Sequence, residues 1–289
     1  MPRTLYAHVA IPKTASTTLV HVLRRNFFMR CLEVRPLFAS SQGVFSARDL
    51  RASLRINPAV RCISGHAVHP YSDLGSVVPE VKYFTTLRDP VERCVSAFFY
   101  GIEVRAQNFT FEQHLDTEGK ENLQTRWIAG EPDLEAAKQM LHERIWLIGR
   151  TERLAEFVLL LGGALQTTRF QPLFQSQNLR VARTDGKKEK FAAILEKYRD
   201  EIVARNRLDV ELIEYVESEI MPRQKARYGD GFEGDLRDLR ESLRSRQPPM
   251  FRSYVDYVVR KAYYDPVIGL LRMREGLPYS GRIEAADPA

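Results

Sequence analysis

The stretch YAHVAIPKTASTTLVHVLRRNFFM, residues 6–29, contains signals for a strand, a loop and a helix in that order. Residues 5–11 are mostly apolar or β-branched, which predicts a short buried strand. Pro12 ends this strand because proline has no N–H group for the hydrogen-bond ladder. From Leu19 to about Met29, apolar residues recur at helical spacing. The stretch therefore predicts a strand–loop–helix unit.

The loop between this strand and helix has the features of an anion site. Ser16 or Thr17 is expected to cap the helix, whose first N–H groups and dipole favour a negative charge. Lys13 adds a mobile positive charge at the mouth of the loop. The phosphate-binding pattern G-x-x-x-x-G-K-[ST] is absent, and no glycine lies in residues 1–42. The alternative is a well-capped helix that binds nothing.

A second strand–loop–helix unit follows further along the chain. The run VKYFTTL, residues 81–87, predicts the clearest strand of the sequence. It leads through Arg88 into a helix expected from Val91 to about Val104. Asp89 suits the N-cap of that helix, and Pro90 suits its first turn. Two such units suggest a sheet whose strands alternate with helices.

The remaining pattern supports an α/β fold. Further strands are predicted at Cys31–Leu37, Ala59–Ser64 and Ile145–Gly149, and helices are predicted at Ser46–Ile56, Phe111–Leu115, Glu121–Ala129, Leu134–Glu143, Thr151–Leu161, Glu189–Val203, Asp209–Met221 and Tyr254–Met273. The alternation predicts a three-layer sandwich resembling nucleotide kinases, with about five mainly parallel strands between helices. We expect residues 1–222 to form the main domain and residues 223–289 a helical extension.

Composition sets broad limits on function. The chain of 289 residues carries a formal charge of +6, which suits an anionic ligand but also simply aids solubility. Its three cysteines are widely spaced and predict free thiols rather than disulfides or a zinc site. We find no signal peptide pattern and no apolar run long enough to span a membrane. These features predict a cytoplasmic protein, or a Golgi lumenal one if an N-terminal anchor is missing.

Two stretches of the sequence resemble motifs of a known protein family. HVAIPKTASTTL, residues 8–19, resembles the 5′-phosphosulfate loop of sulfotransferases that use PAPS (3′-phosphoadenosine 5′-phosphosulfate). The form is closest to that of the carbohydrate sulfotransferases related to the heparan sulfate 2-O- and 6-O-enzymes. TTLRDPVERCVSAFFY, residues 85–100, resembles the 3′-phosphate motif of the same family. The two motifs occur in the family's order.

Weaker similarity extends this resemblance over roughly residues 5–220. It includes ENLQTRWIAG at residues 121–130 and IWLIGRTERLAEFVLLL at residues 145–161. One departure is Ser16, which stands where the family usually has glycine. We expect a slightly stiffer loop there, with a hydroxyl that adds a phosphate contact.

The resemblance implies a set of residues for the nucleotide. The predicted binding residues are Lys13, Thr14, Ala15, Ser16, Thr17, Thr18, Arg88, Ser96 and Arg180. Backbone N–H groups and threonine hydroxyls suit the 5′-phosphosulfate, and the planar guanidinium of Arg88 suits the 3′-phosphate. Lys13 is predicted to stabilise the charge that develops as the sulfuryl group leaves. The alternatives are an exposed edge lysine for Lys13, a solvated helix residue for Ser96 and a charged loop around Arg180.

A histidine is the expected general base for the acceptor hydroxyl. His66 follows a predicted strand and stands beside Gly65, and the resemblance also points to this Gly-His pair. His69 is the second candidate, and Glu33 is a further one. The alternative is that both histidines are ordinary loop residues. His8 is expected to be a packed strand residue.

The sequence therefore predicts a PAPS-dependent O-sulfotransferase that releases PAP (3′-phosphoadenosine 5′-phosphate). Its acceptor is expected to be a glycan or another small molecule bearing a hydroxyl group. No metal, nucleic acid or membrane span is expected, and Gln124 and Arg126 either line the cleft or form a surface pair. The rival hypotheses are an ATP-dependent phosphotransferase and a non-catalytic module that binds a polyanion.

Overall fold

A single parallel sheet organises the chain. The computed structural model describes residues 4–117, 121–165, 169–175, 185–249 and 251–279, with the backbone alone described for 185–188. The described strands are β1 Thr4–Val9, β2 Cys31–Glu33, β3 Cys62–Gly65, β4 Glu80–Leu87 and β5 Ile145–Arg150. They form a five-stranded sheet in the order β2-β3-β1-β4-β5, and every pairing is parallel. The predicted α/β fold is therefore confirmed.

The helices occupy both faces and the end of this sheet. Their bounds are α1 Ser16–Asn26, α2 Ala47–Ile56, α3 Pro90–Arg105, α4 Phe111–Leu115, α5 Leu123–Ala129, α6 Leu134–Glu143, α7 Leu154–Ala164, α8 Asp185–Arg205, α9 Arg207–Tyr215, α10 Met221–Tyr228, α11 Phe232–Ser245, α12 Phe251–Val259 and α13 Asp265–Arg274. Short π-helical segments at Val216–Ile220 and Arg260–Tyr264 join α9 to α10 and α12 to α13.

The core consists of an apolar cluster on each face of the sheet. On one face, side chains of β1 pack with residues of α2, α6 and α9, among them Leu5, Ala7, Leu50, Leu141 and Leu212. On the other face, α1, α7 and α11 cover β4, with Leu19, Leu23, Phe84, Phe157 and Leu236 as members. Burying a side chain of this size stabilises a fold by about 1.5–3 kcal/mol. These two clusters separate the three layers of the predicted sandwich.

Two predicted helix boundaries need correction. The sequence predicts that a helix begins at Thr151, but a 3₁₀ turn occupies Thr151–Arg153 and α7 starts at Leu154. The predicted end before Gly162 and Gly163 is also wrong, because α7 runs on to Ala164. These glycines leave room for neighbours instead, since a Cβ would lie 2.6 Å from the Phe170 ring at Gly162 and 2.7 Å from the Tyr228 ring at Gly163.

The C-terminal helices pack against the layers just described. Residue 222, the last residue before the predicted extension, is the second residue of α10. Phe232 of α11 joins the apolar cluster beneath α1 and α7, and Ile268 of α13 joins the opposite cluster. In the described part of the chain, no helix combines the length and the hydropathy that crossing a bilayer requires.

Candidate active site

The segments that follow three strands of the sheet lie at one edge of it. β1 is central, and its Val9 lies in register with Gly65 of β3, while His8 lies in register with Phe84 of β4. Because the strands are parallel, the segments after β1, β3 and β4 leave the sheet at the same edge. In α/β sheets this carboxyl edge is where ligands bind. The loop with Lys13, the residue His66 and the residue Arg88 all follow these strand ends.

The loop after β1 holds a strained backbone. Lys13 and Ala15 both adopt left-handed conformations, with φ angles of 70° and 62°. Such non-glycine conformations cost about 1–3 kcal/mol each and concentrate at functional sites. Alternating backbone conformations of this kind turn successive N–H groups toward one point and form an anion-binding concavity.

The start of α1 differs from the predicted arrangement. The N-cap is Ala15 rather than Ser16 or Thr17, and no side chain caps this helix. By contrast, Ser46 caps α2 and Asp89 caps α3, as their sequences predict. The first N–H groups of a helix have no acceptor within it. At α1 no N-cap side chain accepts a hydrogen bond from these groups.

Hydroxyl groups hold the loop in this shape. Thr14 and Ser16 both donate to the carbonyl oxygen of Ile11, each at 2.9 Å. Thr86 of β4 donates to the carbonyl oxygen of Thr14 at 2.6 Å. These bonds explain why Ser16 does not cap α1, since its hydroxyl closes the loop instead. The loop therefore has hydrogen bonds of its own that maintain its shape.

The ammonium group of Lys13 lies on an aromatic ring at the edge of the site. Its Nζ atom is 4.1 Å from the centre of the Tyr100 ring, and the guanidinium of Arg105 lies 5.7 Å from the same centre. The pKa of Lys13 is lowered to about 8, mainly by burial and in smaller part by the nearby charges of Arg88 and Arg105. Burial is therefore the main reason why the charged form of Lys13 is disfavoured, and the two arginines add to that effect.

Arg88 links the two loops directly. Its Nη1 atom donates to the carbonyl oxygen of Lys13 at 3.3 Å, and its Nη2 atom pairs with Glu92 at 3.1 Å. The Nε atom of Arg88 is buried and has no hydrogen-bond partner among the described residues. A buried N–H without a partner is costly, and the Nε atoms of Arg25 and Arg260 are in the same state.

The backbone of Arg88 is clamped by the side chain of Gln124, a residue that the sequence places either in the cleft or on the surface. Gln124 accepts a hydrogen bond from the Arg88 N–H at 2.8 Å and donates to the Arg88 carbonyl at 2.9 Å. Gln124 is fully buried, so it does not line the cleft. Arg126 is half-buried and donates to the Glu121 carbonyl at 3.1 Å. The clamp fixes the position from which the Arg88 side chain extends.

Two helices cap each other behind this clamp. The buried carboxylate of Asp209 in α9 accepts bonds from the N–H groups of Gln124 and Thr125, at 3.1 and 2.8 Å. The Thr125 hydroxyl donates to the same carboxylate at 2.8 Å. In return, the side chain of Asn122 accepts from the N–H of Leu208 at 2.9 Å. This reciprocal pair of caps joins α5 to α9 and supports Gln124.

His66 has the geometry of a neutral base. Its Nδ1 atom is hydrogen-bonded to the Ala10 carbonyl, which only accepts, so Nδ1 carries the proton. The other nitrogen, Nε2, then holds the lone pair. Burial lowers the pKa of His66 below its ordinary value, although the bond to Ala10 opposes part of that shift. A Cβ at Gly65 would collide with the Val34 carbonyl, which explains the glycine before His66.

The other base candidates occupy different surroundings. His69 is 8% exposed, donates to the Trp127 carbonyl at 3.1 Å and stacks on Tyr71, and burial lowers its pKa to about 4. His8 is fully buried and bonded to Ser64, and its pKa is lowered to about 3, mainly by burial. The carboxylate of Glu33 forms an ion pair with Arg24. Of these groups, His66 is the one that follows β3 directly and contacts the loop after β1.

The remaining predicted residues are distributed as follows. Thr17 is exposed at the start of α1, and Thr18 is buried one residue later. Ser96 is half-buried in the second turn of α3. Arg180 lies outside the described residues. Within the described ranges, no three histidine, cysteine, aspartate or glutamate side chains are grouped as metal ligands.

Comparison with known proteins adds little to this description of the site. No family model matches the chain, and no curated protein matches it. Among solved structures, it is similar to one described as a sulfotransferase from Alicyclobacillus acidocaldarius, at 17% sequence identity. That similarity covers 73% of this chain and 96% of the other, with a TM-score of 0.41. At this TM-score the similarity is coarse, and it gives no information about individual residues.

Proposed function

We propose that the chain transfers the sulfuryl group of PAPS to the hydroxyl of a saccharide or another small acceptor and releases PAP. The observation that carries this proposal is the direct bond between Arg88 and the Lys13 carbonyl. It brings the two loops predicted to hold opposite ends of one nucleotide into contact. We assign the reaction to residues 1–222 and place it in the cytoplasm, where the free buried thiols such as Cys62 stay reduced.

The chain offers groups that fit both charged ends of PAPS. The uncapped start of α1 and the left-handed residue Ala15 suit the 5′-phosphosulfate. The unpartnered Nε of Arg88 suits the 3′-phosphate, with Ser96 as a further hydrogen-bond donor. Arg180 stays part of the proposal as a residue that holds the nucleotide.

The proposed chemistry divides between Lys13 and His66. Bound PAPS supplies a sulfuryl group attached to a phosphate leaving group. Nε2 of His66 takes the acceptor proton as the new S–O bond forms and the bond from sulfur to the phosphate oxygen breaks. Lys13 neutralises the negative charge that stays on that oxygen. The site would therefore accelerate the reaction by positioning a base and by stabilising the charge that develops.

Binding of PAP tests the nucleotide assignment. We expect PAP to raise the melting temperature of the protein, because a ligand that binds only the folded state stabilises it. Arg88→Ala should weaken PAP binding by about 10–100-fold, since it removes hydrogen bonds to a charged group. Isothermal titration calorimetry measures the PAP affinity of the unaltered protein and of Arg88→Ala. Arg51→Ala, on the exposed side of α2, is the matched control.

Other outcomes of this titration support the rival functions. Stabilisation by ATP with Mg²⁺ and not by PAP would contradict the proposal and favour a phosphotransferase. A polyanion-binding module would respond to neither nucleotide, and Lys13→Ala would leave its polyanion binding intact. Turnover of PAPS against a panel of glycans, lipids and small alcohols then identifies the acceptor.

The clamp behind Arg88 gives a separate prediction. Gln124→Leu keeps the approximate size of the side chain and leaves the Arg88 N–H and carbonyl without partners. We expect weaker PAP binding and a loss of about 1–3 kcal/mol of unfolding free energy for each unpaired group. Thr125→Val is the control, because the hydrogen bond that it removes goes to Asp209 and not to Arg88. Equal PAP affinities in the two variants would show that Gln124 has no positioning role.

A further inference from the structure

The outer side of the helical segment Phe251–Arg274 is apolar. Eight of the eleven large apolar side chains that are exposed in the described part of the chain fall between residues 251 and 279. We define the outer face as Phe251, Tyr254, Tyr257, Val258, Tyr263, Leu270 and Met273, which are 43–77% exposed. Phe251, Tyr254 and Val258 recur at intervals of three and four residues and therefore share one side of α12.

The inner side of the same segment is held largely by polar contacts. Asp256 is buried and pairs with Arg24 at 3.4 Å. The Tyr264 hydroxyl accepts a hydrogen bond from Asn57 at 2.7 Å, and Arg272 donates to the Pro36 carbonyl. An ordinary surface helix places its apolar side against the core and its charges in water. This segment buries polar groups beside Ile268 and also leaves large apolar side chains in water, so its outer face is suited to another apolar phase.

The exposed charges within the segment have one sign, and the residue that follows it, Glu275, is exposed and acidic. Arg252 and Arg274 are exposed, whereas both acidic residues of the segment are engaged. Asp256 is buried against Arg24, and Asp265 pairs with Arg260 and Lys261 at 3.3 and 2.9 Å. An apolar, tyrosine-rich side with basic neighbours is the composition of helices that lie in the headgroup region of a bilayer.

We propose that the outer face of Phe251–Arg274 binds the surface of an anionic lipid bilayer. The segment would lie flat, with its aromatic rings among the acyl chains and its arginines at the headgroups. A second copy of this chain fits less well, because an antiparallel pairing of two such helices brings Arg252 close to Arg274 and sets like charges together. This proposal does not depend on the sulfuryl-transfer reaction.

Vesicle flotation of the full chain tests the proposal. We expect binding to vesicles that contain phosphatidylglycerol, weak binding to pure phosphatidylcholine vesicles, and loss of binding at high salt. The triple variant Phe251→Ser, Tyr254→Ser, Val258→Ser should bind at least about tenfold more weakly, because three inserted side chains are lost. Arg252→Glu with Arg274→Glu tests the charge and leaves the apolar side intact.

The matched control is Ile102→Ser with Val104→Ser, which removes two exposed apolar residues of α3. Circular dichroism of each variant should match that of the unaltered chain. Absence of vesicle binding by the unaltered chain would overturn the proposal. So would equal losses in the control and triple variants. A stable dimer that the triple variant abolishes, with no vesicle binding, would assign the outer face to a second copy.

Discussion

Replacement of His66 by alanine is expected to lower kcat by about 10²–10⁴-fold and to leave PAP affinity nearly unchanged. In the proposed reaction the imidazole takes the acceptor proton, because its Nδ1 is occupied by Ala10 and its Nε2 is left as the base. None of the phosphate contacts proposed above involves this ring. Steady-state kinetics with PAPS and calorimetry with PAP measure the two quantities separately.

The pH dependence gives a second measure of the same assignment. Burial lowers the pKa of His66, so its neutral form persists to a pH below 6.5, the ordinary value for histidine. Turnover is therefore expected to be retained at pH 6.5 and to fall only as the pH drops through the lowered pKa. His69→Ala is the comparison variant and should keep most of its turnover. Full turnover by His66→Ala would transfer the role of base to His69 or to a carboxylate such as Glu33.

Replacement of Lys13 by methionine is expected to lower kcat by about 10²–10³-fold, which is typical for the loss of one group that stabilises developing charge. Methionine keeps the unbranched stem that carries the ammonium to the Tyr100 ring. Lys82→Met is the matched control, because Lys82 also lies near an aromatic ring, 5.2 Å from the centre of Trp146, but belongs to the first half of β4. A normal kcat for Lys13→Met would exclude the lysine from the reaction.

The lowered pKa of Lys13 predicts an alkaline limb for kcat/KM. The ammonium is charged below its pKa of about 8, so this parameter should fall as the pH rises through that value. In Lys13→Met the alkaline limb at about pH 8 should disappear. Together with the acid limb from His66, the unaltered protein should show a plateau between the two. Measurement at substrate concentrations well below KM reports the free enzyme, in which these pKa values apply.

The sequence was sufficient for the features that depend on neighbouring residues. The strand before Pro12, the strand before Arg88 and the Asp89 cap of α3 are all local, and the structure confirms each of them. The predicted strand Cys31–Leu37 is shorter in the structure. β2 ends at Glu33, because only three of its residues pair with β3.

Features that depend on distant residues cannot be predicted from a local sequence pattern. Ser16 suits an N-cap by its type, but its hydroxyl turns to the Ile11 carbonyl, a contact that the neighbouring residues do not reveal. The bonds between Asp209 and Thr125 join residues 84 positions apart. In the sequence Asp209 is therefore an ordinary first-turn residue of its helix. The roles proposed for Lys13 and His66 stay predictions until the variants are measured.

The reciprocal caps between α5 and α9 also bear on protein synthesis. All five described strands lie before residue 151, so the strands leave the ribosome before most of the C-terminal half has been synthesised. Asp209 and its partners leave the ribosome later, and Gln124 lacks its full support until then. A nascent chain should therefore form its sheet first and its proposed nucleotide-binding site afterwards. Premature termination before α9 would yield a chain that folds in part and binds poorly.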